Sequence, residues 1–305
     1  MTKRLSGIWR LTRFKEYVSF VIITTLLGAA ASRGSFGWLL IGVLVANWLA
    51  VGFAFMINDV EDAPDDALNP AKALRNPVSA GVLSPRIGRL SSYLVASMAA
   101  LLYATLGLGP FIAGLACLIL AYLYSWRPIR LKAIPIADLI SHAAMLAGLQ
   151  FLAAYLAFDG GPTRQWVFPL GLVLAISLYG QLFNELRDFD GDLKAGVTHT
   201  ASYIGSHAAY QLMMVWLAIG TISAIITLFV VHLIPAWVLI LTVALAGLLS
   251  WRRLPRTGRS QSTITLHQSF QKPIEVAAAI ALMAWFASPS VIASLSFVVA
   301  LPPAW

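Results

Sequence analysis

The sequence is short of charge. Only 11% of its 305 residues are Asp, Glu, Lys or Arg, while 59% are hydrophobic. A soluble domain carries about 25% charged residues, so this chain does not present a soluble surface. Its single cysteine, Cys117, lies inside an apolar run, which excludes an intrachain disulfide. There is no Asn-x-Ser/Thr sequon, no Walker A loop and no GxGxxG fingerprint. Nothing therefore points to a glycosylated exterior, to ATP or to a dinucleotide. No His or Cys pair has zinc-ligand spacing. A net charge of +8 would suit nucleic acid, but the basic residues are split among short loops. Without a basic domain or an aromatic-interleaved patch, nucleic acid is a poor partner.

Long apolar runs are abundant instead. Stretches of 17 to 25 residues recur along the chain, enough to cross a hydrocarbon core of about 30 Å. They predict an all-α integral membrane protein, a single transmembrane domain over 1–305. About nine helices are expected, near 16–32, 37–60, 87–107, 110–126, 135–158, 166–186, 206–230, 233–251 and 274–299. The basic start, MTKRLSGIWRLTRFKEY, superficially suggests a signal peptide. Its apolar run is long, lacks a small-x-small cleavage site and is followed by further spans, so it reads as a first membrane helix. With nine crossings, the N-terminus and the loops after helices 2, 4, 6 and 8 share one side. That side holds 19 of the 21 Lys and Arg, with only Arg33 and Arg164 opposite, and every carboxylate except Asp159. It is expected to be cytoplasmic, in a prokaryotic cell membrane.

The charge concentrates in INDVEDAPDD, Ile57 to Asp66, where five carboxylates and an asparagine follow about twenty mostly apolar residues. Charge at that density near a bilayer is costly and retained for function. Asn58, Asp62 and Asp66 recur 126 residues later as Asn184, Asp188 and Asp192, and Asp59 is matched by Glu185. The echo predicts a parallel internal repeat, about 16–126 and 135–251, followed by the C-terminal helix 274–299, with both acidic helix ends at equal depth. Residues at i, i+4 and i+8 share a helix face, drifting about 40° per step. Two such sets facing each other make a cup of oxygen ligands, although Pro64 predicts a kink in the first and Gly191 loosens the second. Crowded carboxylates call for a cation, and oxygen-only ligands favour Mg²⁺, Ca²⁺ or Mn²⁺. Lys72, Arg75, Arg127, Arg130, Lys132, Arg187 and Lys194 flank the clusters. Metal-bound carboxylates opposite Lys and Arg suit a diphosphate, and the apolar helices behind suit a lipid tail.

These residues resemble those of the UbiA superfamily of intramembrane prenyltransferases. NDVEDAPDD matches its NDxxDxxxD motif, NELRDFDGDLKAG from Asn184 resembles its second aspartate motif, and YSWRPIRLK from Tyr124 resembles its Tyr…Lys motif. The resemblance covers nearly the whole chain. It implies a helical bundle around a central cavity that opens laterally to lipid. It further implies two Mg²⁺ ions between the aspartates and the diphosphate of an isoprenoid substrate. Asn58, Asp62 and Asp66 would hold one ion, and Asp188 and Asp192, with Asn184, the other. Asp62, Asp66, Asp188 and Asp192 would then be the catalytic set. Arg75 and Lys132 would grip the diphosphate, with Arg130, Lys194 and Tyr124 in support. The implied reaction moves a polyprenyl group to a lipophilic acceptor among the membrane lipids and releases diphosphate.

A terpene cyclase, in which the substrate's own double bond attacks the cation, is the alternative within the same superfamily. A transporter fits less well, because transport sites lie near the bilayer midplane. The segment LRNPVSAG departs from the Arg-Pro pair of many members, and Asn184 stands where some have Asp. Both differences bear on the acceptor. Tyr122, Trp126, Tyr179 and Phe183 lie at a depth where aromatic faces could stabilise a cation. His142 reads as a hydrogen-bonded bundle residue, Asp138 as the partner of a loop cation, and RRLPRTGR as a lipid-headgroup signal.

Overall fold

The apolar runs form helices, and among the described residues there is no strand. The computed structural model describes residues 2–160, 166–194, 196, 198–251 and 263–299. Helix α1 (Thr2–Thr12) precedes the spans α2 (Phe14–Ala31) and α3 (Trp38–Asp66). A short α4 (Pro70–Arg75) leads to the hairpin of α5 (Pro85–Thr105) and α6 (Leu108–Ser125). The next crossing is α7 (Ala137–Ala143) and α8 (Leu149–Ala157), joined by a π turn over Ala144–Gly148. Then come α9 (Val167–Lys194), the short α10 (Thr200–Ile204), α11 (Ser206–Ile225), α12 (Ala236–Trp251) and α13 (Thr263–Val299).

Eight helices among the described residues are long and apolar enough to cross a membrane. The ninth, α12, has 16 residues, or about 24 Å of helix, short of a hydrocarbon core of about 30 Å. The chain is an integral membrane protein, with eight full-length helices and one shorter apolar one among the described residues. At Pro64, where a kink or a new turn is expected, the helix is not interrupted. Helix α3 runs unbroken through it to Asp66, because a proline in the last turn forfeits only one intrahelical bond. Helix α9 likewise passes Gly191 to Lys194. At 29 and 28 residues, these two helices exceed a crossing of about 20, and each carries its acidic motif at its C-terminal end.

Packing inside the bundle follows membrane rules, with small residues where helices touch and polar residues tying them together. A Cβ on Gly28 of α2 would lie 2.3 Å from the Phe151 carbonyl oxygen of α8, and one on Gly114 would lie 2.2 Å from the Tyr103 ring. Fully buried Asn47 of α3 donates to Thr25 Oγ1 of α2 at 2.8 Å and to the Gln150 carbonyl of α8 at 3.2 Å. It accepts from the Tyr103 hydroxyl of α5 at 2.5 Å. The Met145 carbonyl, within the π turn, accepts from Gln150 Nε2 at 3.0 Å and from Cys117 Sγ at 3.1 Å.

Candidate active site

Charged residues from the N-terminus and from the loops after α3 and α6 meet at one end of the bundle. Lys132, in a 3-10 turn (Leu131–Ala133) after α6, places its ammonium against both carboxylate oxygens of Asp62 and 2.9 Å from Asn58 Oδ1. Ser125 also donates to that Asn58 oxygen, at 3.3 Å. Arg130 reaches Asp62 at 3.1 Å and Asp65 at 2.7 Å, and Arg127 reaches Asp65 at 2.9 Å. Arg130 has a left-handed backbone, φ 47°, which turns the loop back over the end of α3. Burial lowers the Lys132 pKa, opposed by the Asp62 carboxylate. For Arg130, burial also disfavours the charge, but bonds to Asp65 and Asp62 outweigh it and raise the pKa.

The eight residues from Asn58 to Asp66 accumulate a drift of about 80°, and the structure uses it. Asp66 turns to Asn76 Nδ2, at 2.9 Å, rather than to Lys132. Asn76, fully buried, also donates to the Asp59 carbonyl at 2.7 Å and accepts from the amides of Val78 and Ser79. Asp59 itself faces Arg13 at 3.3 Å. The Arg13 guanidinium also pairs with Glu16 and lies 4.8 Å above the Phe55 ring.

On the second motif, Asp188 is held by its neighbour Arg187 through two bonds of 3.0 Å. Lys72 and Arg75 are within electrostatic reach of Asp188, so the loop after the first motif faces the second motif. Asn184 is exposed. The side chains of Asp192 and Lys194 lie outside the described residues. Among the described residues, the expected ligands of the two motifs do not close into one metal-sized group. The first motif nevertheless fits a cation, because the Lys132 ammonium already sits between Asn58 and Asp62 as a cation would.

A different trio does come together. Asp138, Glu185 and His199, all buried, each offer a ligand atom, and these lie within 4.8 Å of one another. Both carboxylates receive donors from the chain. Asp138 takes the Thr200 amide at 2.6 Å and its hydroxyl at 2.5 Å, and Glu185 takes the Ala201 amide at 2.9 Å and Gln181 Nε2 at 2.9 Å. His199 Nδ1 lies 3.3 Å from Glu185. The trio thus fastens the segment after the second motif to α7 and α9. Asp138 is met by Thr200 rather than by a loop cation. Gln181 Nε2 also reaches the Tyr124 hydroxyl at 3.4 Å, tying Tyr124 to α9. The aromatic residues form two stacked pairs, Tyr122 with Trp126 at 5.5 Å and Tyr179 with Phe183 at 6.4 Å.

Sequence reasoning missed Asn76, Arg13, Gln181 and the Asp138–Glu185–His199 trio. For Glu185 a signal existed, since it is the 126-residue partner of Asp59 and both are buried acids.

Residues 21–270 match the profile of the UbiA prenyltransferase family. The chain is similar to a lycopene elongase/hydratase of Haloarcula japonica, 30% identical over 173 residues, 54% of each protein. It is also similar to a probable homogentisate phytyltransferase 2, chloroplastic, of Oryza sativa subsp. japonica, 30% identical over 170 residues, 53% of this chain and 44% of the relative. The chain thus spans about half the length of these two curated relatives. Its fold resembles that of a UbiA homolog from Archaeoglobus fulgidus bound to GPP and Mg²⁺, with a TM-score of 0.62 at 21% identity, covering 91% of this chain and 99% of that one.

Proposed function

This chain belongs to the UbiA prenyltransferase family, and on that premise we propose that it transfers a prenyl group from an isoprenoid diphosphate to a lipophilic acceptor. The observation that carries the proposal is the Lys132 ammonium seated between Asn58 and Asp62, with Arg130 and Arg127 closing the same acidic helix end. Oxygen ligands and basic groups alternate there, as recognition of a metal diphosphate requires.

Asn58 and Asp62, with Asp66, would hold one Mg²⁺, and Asp188 and Asp192, with Asn184, a second. When bound, Mg²⁺ neutralises charge on the diphosphate leaving group. Lys132 and Arg130 swing from carboxylate to phosphate oxygens, Arg75 approaches from the Asp188 side, and Lys194 would be a further cation for the diphosphate. Tyr124, fixed through Gln181, lines the wall beside the diphosphate. The allylic C–O bond breaks with its electron pair leaving on the diphosphate. The aromatic faces nearby favour the positive carbon, and the apolar bundle keeps water from it. Diphosphate then departs from the charged end, which we assign to the cytoplasmic side on the distribution of Lys and Arg.

The test is incubation of the purified protein with farnesyl and geranylgeranyl diphosphates and Mg²⁺, adding lycopene, homogentisate or a membrane-lipid extract. Diphosphate release and product mass are measured, with EDTA and Asp62→Ala/Asp188→Ala as controls. Metal-dependent release that needs an acceptor, with a product heavier by the prenyl unit, is expected. Release without acceptor, yielding a cyclic hydrocarbon, would identify a cyclase. No release across a wider donor panel from folded protein would refute the proposal.

A further inference from the structure

We propose that His142 is the base that takes the proton lost from the acceptor after prenylation, a role that rests on the transferase reading above. Prenylation of an alkene or an aromatic ring leaves a positive charge on the acceptor. A C–H bond beside that charge must then break. The aspartates of the two motifs are poorly suited to the task, since metal and basic groups hold them. A neutral base just inside the bundle is needed.

His142 occupies that position. It lies one helical turn beyond Asp138, about 6 Å deeper from the charged end, and the π turn begins two residues later, at Ala144. Such turns concentrate at functional sites. Its ring centroid is 6.3 Å from that of Tyr124, whose hydroxyl is within electrostatic reach of Asp62. The order along the bundle is therefore Lys132 and Asp62, Tyr124, then His142, which follows the order of diphosphate, reacting carbon and acceptor.

The ring is fixed by one bond only. Nδ1 meets Ser177 Oγ of α9 at 3.2 Å, and that is the hydrogen bond the ring makes among the described residues. Although enclosed by the bundle, His142 keeps accessible surface. In the tautomer that donates Nδ1–H to Ser177, the Nε2 lone pair is free for a proton. The groups facing the ring are Tyr124 from α6 and Ser177 and Glu185 from α9, while Asp138, one turn earlier on its own helix, is bonded to Thr200. Among the described residues no Lys or Arg acts on it, and the charge that does is that of Glu185. A polar ladder of Ser177, Gln181 and Glu185, four residues apart on α9, runs from this ring back to the charged end.

In the step itself, the acceptor's π pair forms the new C–C bond to the allylic carbon as the C–O pair leaves with diphosphate. The adjacent C–H pair then restores the double bond or the aromatic ring, and the proton passes to His142 Nε2. No oxidant or further reactant is required.

The test compares His142→Gln and Ser177→Ala with the unaltered protein, using whichever of the acceptors above supports turnover. General-base catalysis contributes about 10²–10⁴ in rate. His142→Gln should therefore keep Mg²⁺-dependent diphosphate release while the deprotonated prenylated product falls at least ~100-fold, and a prenylated adduct heavier by one water, formed as water captures the acceptor cation, takes its place. Ser177→Ala should show the same diversion to a smaller extent, and it serves if His142→Gln does not fold. Unchanged product and kcat, or a rise only in acceptor KM, would overturn the proposal, the latter making His142 a binding group. Absence of diphosphate release from the unaltered protein would refute the transferase reading and this role with it.

Discussion

Replacing Lys132 with methionine should separate two jobs that one ammonium performs. In the structure that ammonium contacts both oxygens of Asp62 and lies 2.9 Å from Asn58. The two side chains of the ion pair are only 15% and 16% exposed, so little screening by water weakens it. A charge-assisted bond of this kind is worth about 1.5–3 kcal/mol, and any cation binding Asn58 and Asp62 must first displace it. Without the ammonium, Mg²⁺ should bind the substrate-free protein roughly tenfold to a hundredfold more tightly, at about 1.4 kcal/mol per factor of ten. The same change removes a phosphate-gripping charge, so diphosphate release should slow by a similar factor or more. Calorimetric titration of Mg²⁺ into detergent-solubilised protein, without and with a non-hydrolysable diphosphate, reads both effects. Equal Mg²⁺ affinity in Lys132→Met and the unaltered protein would refute the account of Lys132 as the occupant of a cation site.

Three further outcomes are expected. Burial lowers the Lys132 pKa, so the ammonium is present at low pH and lost as pH rises through that lowered value. Diphosphate binding should accordingly fall off at a pH below the ordinary lysine value of about 10.4, and Lys132→Arg should move that limb upward; an unmoved limb would assign it elsewhere. Asn76→Ala strips Asp66 and three backbone groups of their partner and should cost about 2–4 kcal/mol, seen as a lower thermal midpoint with weakened Mg²⁺ binding. Gly28→Ala forces a Cβ to 2.3 Å from the Phe151 carbonyl. It should destabilise by about 1–3 kcal/mol without altering Mg²⁺ affinity, and an unchanged midpoint would show that α2 and α8 yield freely.

Much of this molecule was legible because its signals are periodic or local. Spans announce themselves by length, and Asn58 and Asp62, one turn apart, necessarily share a face. Arg130 and Lys132 were recognisable as cations of the site because they sit in a short loop beside the motifs, but their closure on Asp62 was not foreseen. Asp66 was harder. Two turns of drift carry it off the face of Asn58, and its partner Asn76 lies beyond α4 in a loop whose course no periodicity describes. The continuity of α3 through Pro64 also escaped, since a proline reads as a break unless its distance from the helix end is known. Asp138, Glu185 and His199 come from three segments brought together only by tertiary packing. The ligation geometry of the second motif involves Asp192, whose side chain lies outside the described residues.

Asn47 has a consequence for how the chain is made. It sits in the first half of α3 and draws its partners from α2, α5 and α8, and the last of these is synthesised about a hundred residues after it. An unpaired amide in hydrocarbon is unfavourable, so α3 meets only one of its partners, Thr25, when it first enters the bilayer. Completion of the set must wait for the fifth crossing. Until then the half-built bundle has reason to stay beside the insertion machinery. The same amide that locks the finished protein thus times its biogenesis, and chains stopped before α8 should remain prey to quality-control proteases.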